Sequence, residues 1–261
     1  MLDLFDSHVH LDSKEYDADR EDVITRARAA GVTAFVSIGA GYGVESAKRA
    51  VAIAESHPFV WASAGIHPHD AAATLPVEEL RELAQHPRVV AIGETGLDFH
   101  YDIAPRDAQE RWFRAQIELA IELQKPLIIH SRKAAPECFA LLSSMHAGDV
   151  GGVFHCYSED AEFARKLRDI NFMVSIPGVI TFKNAEATRQ AVREIPVEQI
   201  MLETDGPFLA PIPYRGKRCE SSFMVETAKA VAALKDMTVE ELAQTTTKNA
   251  KRFFKLSAEV A

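Results

Sequence analysis

Cysteine is scarce in this 261-residue chain: Cys138, Cys156 and Cys219 stand far apart. An odd count with no close pair excludes a disulfide framework and a zinc–thiolate knuckle, and predicts a reducing, cytoplasmic setting. Positive charge is also short, with 29 Lys and Arg against 38 Asp and Glu and a net charge of -9. That balance excludes a broad basic groove wrapping a long duplex, because such binding is mostly charge neutralisation. A phosphate substrate of small footprint, such as a chain end or a short strand, remains open, since bound cations can invert the field in a cleft. No run approaches the ~18 consecutive apolar residues of a membrane span, so no membrane partner is expected. The acidic opening Met1-Leu2-Asp3-Leu4-Phe5-Asp6 has no basic leader and no apolar core, and no export signal is read there. There is no G-x-S-x-G elbow and no P-loop, which leaves serine-hydrolase and nucleotide-switch readings without support. Gly39-Ala40-Gly41-Tyr42-Gly43 lacks the G-x-G-x-x-G spacing and reads as an ordinary strand-to-helix turn.

What is present is alternation. Eight short apolar runs have the Val, Ile and Phe content of strands buried on both faces. They are Leu4 to Val9, Ala34 to Ile38, Val60 to Ala64, Val89 to Ile92, Pro126 to Ile129, Gly152 to Phe154, Phe172 to Ile176 and Ile200 to Leu202. Helical patterns fill most gaps: Asp19 to Ala30 before Gly31, Val44 to Ser56 before Pro58, and Arg106 to Gln124 before Pro126. Asn184 is expected to cap the helix that ends near Glu194, and Thr238 with Glu241 reads as a capping box. Strand–helix alternation predicts parallel strands with helical crossovers. Eight strands in a chain near the roughly 250 residues of one such barrel favour an α/β fold, a closed (β/α)8 TIM barrel. No linker or composition break divides the chain, so 1–261 is expected to be a single domain.

Ligand-type residues stand where these strands give way to loops. His8 and His10 close the first strand, two residues apart and therefore on one side. Glu94, His130, His155 and Asp205 follow the fourth, fifth, sixth and eighth. In a barrel those C-terminal ends converge on the face where active sites are built. Six ligands exceed the three of one catalytic zinc and suit two divalent cations, with Glu94 able to bridge them. A mixed His and carboxylate set suits Zn, Mn, Fe or Co, and is less natural for Mg alone.

At these residues the chain resembles the TatD-type metal-dependent deoxyribonucleases, a family of amidohydrolase-like TIM barrels. The matching stretches are Asp6-Ser7-His8-Val9-His10-Leu11-Asp12, Gly65-Ile66-His67-Pro68-His69, Gly93-Glu94-Thr95-Gly96-Leu97-Asp98 and Pro126-Leu127-Ile128-Ile129-His130. His155-Cys156-Tyr157-Ser158, Leu202-Glu203-Thr204-Asp205-Gly206-Pro207 and Arg215-Gly216-Lys217 complete them in family order. The resemblance implies two metals and hydrolysis of DNA phosphodiesters, often from a chain end. It implies that His8, His10, Glu94 and Asp205 hold one cation and that Glu94, His130 and His155 hold the other. It further implies that Asp205 orients or deprotonates the attacking water, so Asp205 and Glu94 are the expected catalytic pair. Members usually carry Asn and Pro shortly after the Arg-Gly-Lys stretch. Cys219 and Ser221 stand there instead, so the loop bearing Arg215 and Lys217 is expected to take its own shape.

Around the metals, His67, Arg132, Tyr157, Arg215 and Lys217 are the expected substrate contacts. His67 is expected at a phosphate or leaving group, Tyr157 on a base or sugar, and the guanidinium forks on phosphate oxygens. Asp98 is expected to orient a ligand or cap a turn, and Glu203 to orient His8 or His10 from deeper in the barrel. His69 reads as a loop residue. Two other functions keep the same residues in view: an ester or amide hydrolase, for example of aminoacyl-tRNA, and a non-catalytic scaffold. The nucleic acid partner is expected to be DNA, single-stranded or at chain ends, and a monomer is favoured.

Overall fold

In the computed structural model, residues 2–41, 43–72, 77–101 and 103–256 are described. Eight strands alternate with helices: β1 (Leu4–Val9), α1 (Arg20–Ala30), β2 (Val32–Ser37), α2 (Val44–Ser56), β3 (Val60–Ala64), α3 (Val77–Ala84), β4 (Val89–Asp98) and α4 (Arg106–Leu123) come first. Then follow β5 (Leu127–Arg132), α5 (Ala135–Ser144), β6 (Gly152–Phe154), α6 (Ala161–Asp169), β7 (Phe172–Ile176), α7 (Glu186–Glu194), β8 (Ile200–Leu202), α8 (Met224–Leu234) and α9 (Val239–Phe253). The strands hydrogen-bond in chain order, β1 to β8, and β3–β4, β4–β5, β5–β6 and β7–β8 pair in parallel. The last strand also returns to the first: Asp205 N–H donates to His8 O at 2.9 Å and His10 N–H to Gly206 O at 2.8 Å. This is the order of a (β/α)8 barrel, the class expected. β1, β3 and β6 are buried along their whole length; β3 and β6 carry no charged residue, whereas β1 buries Asp6, Ser7 and His8.

The chain divides into two compact units, Met1–Val36 with Cys156–Lys166 and Met173–Ala261, and Ser37–His155 with Leu167–Phe172. In the first, α1 stops at Gly31, whose φ of 98° gives the left-handed turn that a residue with Cβ resists. Leu4 N–H already pairs with Gly31 O, so β2 begins at Val32, two residues before the expected Ala34. Thr238 and Glu241 form the capping box of α9. Asn184 does not cap α7; Ala185 takes that position, because its carbonyl receives the first helical bond, from Arg189 N–H. In the second unit, α4 buries Trp112, Phe113, Ile117 and Ala120 and turns at Gln124 into β5. Tyr42, within the glycine-rich turn before α2, lies outside the described residues. Among the described residues, no helix is long and apolar enough to cross a membrane.

β4 and β5 correct the sequence reading. The fourth and fifth runs were expected to end at Ile92 and Ile129, yet β4 continues to Asp98 and β5 to Arg132, with Gly96 opposite His130 and Asp98 opposite Arg132. Gly93 and Gly96 mark close backbone approach rather than a strand end. A Cβ on Gly96, at φ 140°, would lie 2.0 Å from His130 O. Glu94 and His130 therefore project from inside paired strands, which fixes their backbones more firmly than loop positions would.

Candidate metal centre

The second unit carries a cluster of ligand-type residues around Glu94. Glu94 is buried, and three imidazoles converge on its Oε1: His155 Nε2 at 2.7 Å, His130 Nδ1 at 2.9 Å and His67 Nε2 at 3.6 Å. Burial pushes Glu94 toward protonation, but the His155 and His67 imidazoles beside it and the bonds from His130 and His155 outweigh it and hold the carboxyl well below its usual range. His130 gives its other nitrogen, Nε2, to Asp98 Oδ2 at 3.1 Å. Burial works against a charge on His130, but the bonds to Asp98 and Glu94 raise its pKa, and its Nδ1 is the nitrogen that faces Glu94. A carboxylate behind an imidazole that faces a metal is the usual way such a ligand is oriented. The donor set fits a divalent cation of the Zn, Mn, Fe or Co type, and His67, Glu94 and His130 offer ligand atoms within 4.8 Å of one another.

Asp98 does more than the expected orienting. Its Oδ2 also accepts from His69 Nε2 at 2.8 Å, and its Oδ1 takes the backbone N–H groups of His100 and Tyr101 at 2.9 and 3.0 Å. Burial works against the charge, but these bonds hold the carboxyl far below its ordinary range. His67 Nδ1 accepts from His69 N–H at 3.1 Å. A neutral His67 so engaged carries its proton on Nε2, the nitrogen that lies toward Glu94. Burial keeps it neutral, with its pKa down at about 4 despite the Glu94 charge.

The first unit carries a cluster of its own around Asp205. His8 Nε2 and His10 Nε2 lie 3.6 and 3.5 Å from the same Asp205 oxygen, as their shared side of β1 predicts. Asp205 sits at φ 56°, a left-handed conformation that costs on the order of 1–3 kcal/mol and recurs at functional positions. Asp6, two residues before His8, is fully buried and accepts from Thr204 N–H, Thr204 Oγ1 and Ser221 Oγ at 3.0, 2.6 and 2.6 Å. Burial raises its pKa to about 7 against those bonds. Ser221, at the departure from the family pattern, thus ties the chain after β8 to β1. Cys219 is buried beside it, and its carbonyl receives the Tyr16 hydroxyl at 2.6 Å. Glu203 finds its partners in Cys156 N–H at 2.7 Å and the Ser175 hydroxyl. Those bonds hold the turn after β6.

The expected substrate contacts separate. Arg132 is exposed beside Tyr101, its guanidinium carbon 5.3 Å from the ring centroid. Arg215 and Lys217 are exposed in the chain after β8, over Phe182 at 4.2 Å and Tyr214 at 5.7 Å. Tyr157 is a correction: it is 3% exposed and donates its hydroxyl to Asp160 O at 2.6 Å, so its ring is packing and cannot stack on substrate. Two glutamines of α4 went unread. Gln116 brackets Ile66, accepting its N–H at 2.7 Å and donating to its carbonyl at 3.1 Å, and donates also to Thr95 Oγ1. Gln109 brackets Asp98, accepting its N–H at 2.8 Å and donating to its carbonyl at 3.2 Å. Their signal was present: two polar residues seven apart on the otherwise apolar face of a helix.

Comparison with known proteins agrees with this geometry. The model of a family described as TatD related DNase matches residues 5–255. The "uncharacterized metal-dependent hydrolase YabD" of Bacillus subtilis is 44% identical over 97% of this chain and 100% of its own. The "3'-5' ssDNA/RNA exonuclease TatD" of a Rahnella strain is 36% identical over 98% of this chain and 99% of its own. The crystal structure of the Escherichia coli TatD homologue YJJV superposes with a TM-score of 0.90 at 25% identity, covering 97% of this chain and 98% of that one. The chain belongs to the TatD-related family of metal-dependent hydrolases.

Proposed function

We propose that the chain hydrolyses DNA phosphodiesters exonucleolytically, using a water activated at a binuclear divalent-metal site. The observation that carries this reading is the convergence of three imidazole nitrogens on one buried carboxylate oxygen, Glu94 Oε1. In this reading His8, His10, Glu94 and Asp205 would hold one cation and Glu94, His130 and His155 the other. The cations, when bound, lower the pKa of a water and neutralise charge developing on the phosphate. Asp205 takes the proton of that water. His67 Nε2–H donates to a phosphate oxygen, a role that its committed Nδ1 leaves to it. Arg132, Arg215 and Lys217 are the outer phosphate contacts, where a guanidinium fork matches two oxygens. The Rahnella relative's name, an exonuclease of single-stranded DNA and RNA, supports this substrate class.

The unbroken family match from residue 5 to 255 supports reading 1–261 as one hydrolase domain. The three free cysteines support a cytoplasmic location, and a monomer is the state we expect.

The test offers metal-loaded protein an end-labelled single-stranded oligonucleotide, which is expected to release mononucleotides. Elemental analysis is expected to find two divalent ions per chain, and Glu94→Ala to lose both metal and activity while remaining folded. Intact oligonucleotide, with rapid turnover of an ester or amide panel that includes an aminoacyl ester, overturns the phosphodiesterase reading in favour of the alternative hydrolase.

A further inference from the structure

Four large apolar side chains are exposed among the described residues: Tyr101, Ile103, Phe208 and Ile212. The two aromatic ones share a distinctive placement. Tyr101 is 56% exposed, yet its ring stands edge-on to His69 with centroids 5.7 Å apart at 90°. Its backbone N–H donates to Asp98, the carboxylate that also holds His130 and His69. Phe208 is 53% exposed, and its ring stands edge-on to His10 at 6.1 Å and 73°. Its backbone N–H donates to Asp205 O at 2.9 Å. Each residue is therefore tied by its backbone N–H to an aspartate, Asp98 or Asp205, with its ring set edge-on to an imidazole, His69 or His10, while the residue is more than half exposed. Packing within the fold does not account for these solvent-facing rings beside candidate metal ligands and their supports.

We propose that Tyr101 and Phe208 are stacking platforms for nucleobases of a single-stranded substrate, with Arg132 beside Tyr101 meeting the adjoining backbone phosphate. This rests on the phosphodiesterase reading and narrows its substrate to strands whose bases are unstacked. Base–aromatic stacking is tolerant of sequence because every base has a π-face, and bases inside a duplex do not offer theirs. The net charge of -9 fits such binding, which draws part of its affinity from rings rather than from a basic groove.

The experiment compares wild type, Tyr101→Ala, Tyr101→Phe and Phe208→Ala, all metal-loaded, on two substrates: a single-stranded oligonucleotide and the same strand made abasic at its terminal positions. Each alanine variant is expected to raise KM on the base-bearing strand by about 5- to 100-fold, with kcat little changed. Tyr101→Phe, which keeps the ring, is expected to retain the wild-type KM. On the abasic strand all four proteins are expected to share one KM. Anisotropy of the labelled strands with metal-free protein is expected to give the same split in Kd. A wild-type KM in both alanine variants overturns the proposal, as does an equal rise on both strands. A rise in one variant alone removes the other residue. A wild-type enzyme inactive on both strands sinks the phosphodiesterase reading itself, an outcome distinct from these.

Discussion

Asp98 and His130 form a buried pair in which Nε2–H meets Oδ2 at 3.1 Å, and the opposite edge of the same ring lies 2.9 Å from Glu94. The pair sets which nitrogen of His130 faces the site. Asp98→Asn keeps the volume but removes the charge that fixes this tautomer. We expect a 10- to 100-fold loss of metal affinity or activity, in the range typical of such supporting carboxylates. Calorimetric titration of the metal-free protein with Zn or Mn measures it, and unchanged affinity would remove Asp98 from the centre.

Gly96→Ala tests the close approach of β4 and β5. The added methyl meets His130 O, and the φ of 140° is one that L side chains rarely adopt. The expected cost is upwards of about 3 kcal/mol, the sum of backbone strain and a forced separation of strands. Chemical denaturation with fluorescence detection checks this. Near-wild-type stability would show that β4 moves aside at no cost.

Gln116→Leu keeps the size of the side chain and deletes its amide. Ile66 then loses the partners of both its N–H and its carbonyl, next to His67. Leaving such groups buried and unpaired costs about 1–3 kcal/mol each. We expect a lower denaturation midpoint and a fall in activity through a loosened His67. Retention of both by the leucine variant contradicts the positioning role.

Part of the acid limb of stability lies at Asp19 and Glu220. Arg218 hydrogen-bonds Asp19 and, helped by Arg26, brings its pKa down to about 2. Burial opposes the charge of Glu220, but the forked bonds from Arg26, at 3.1, 3.1 and 2.6 Å, hold its carboxyl below the usual range. Both groups bind protons less readily folded than unfolded. Their contribution is therefore complete above the unfolded carboxylate range, near pH ~4, and is lost as pH falls from there toward pH ~2. Thermal melts from pH 5 downward are expected to show Tm falling across this window, and Glu220→Gln to flatten the fall while lowering Tm at neutral pH. An unaltered pH profile in that variant would place the acid sensitivity elsewhere.

Much of this was legible along the chain. The bounds of β1, β3, β6, β7 and β8 agree with their apolar runs, because a strand buried on both faces is written as an unbroken hydrophobic segment. His8 and His10 were legible as a pair, because side-chain alternation on a strand is a local rule. β4 was misread, because a glycine that permits close packing and a glycine that ends a strand look the same in sequence. Gln109, Gln116 and Asp6 were passed over, because each acts on backbone groups far away in sequence.

The sequence by itself determined the donors and the alternation of strand and helix, since ligand chemistry belongs to residue type and hydrophobic period is local. Only the tertiary structure decided how those donors are used. It committed Nε2 of His130 to Asp98, a carboxylate distant in sequence, and so turned Nδ1 of the same ring toward Glu94. It also showed that Tyr157 is sealed in packing while Tyr101 faces solvent, because exposure depends on which distant segments fold over a ring.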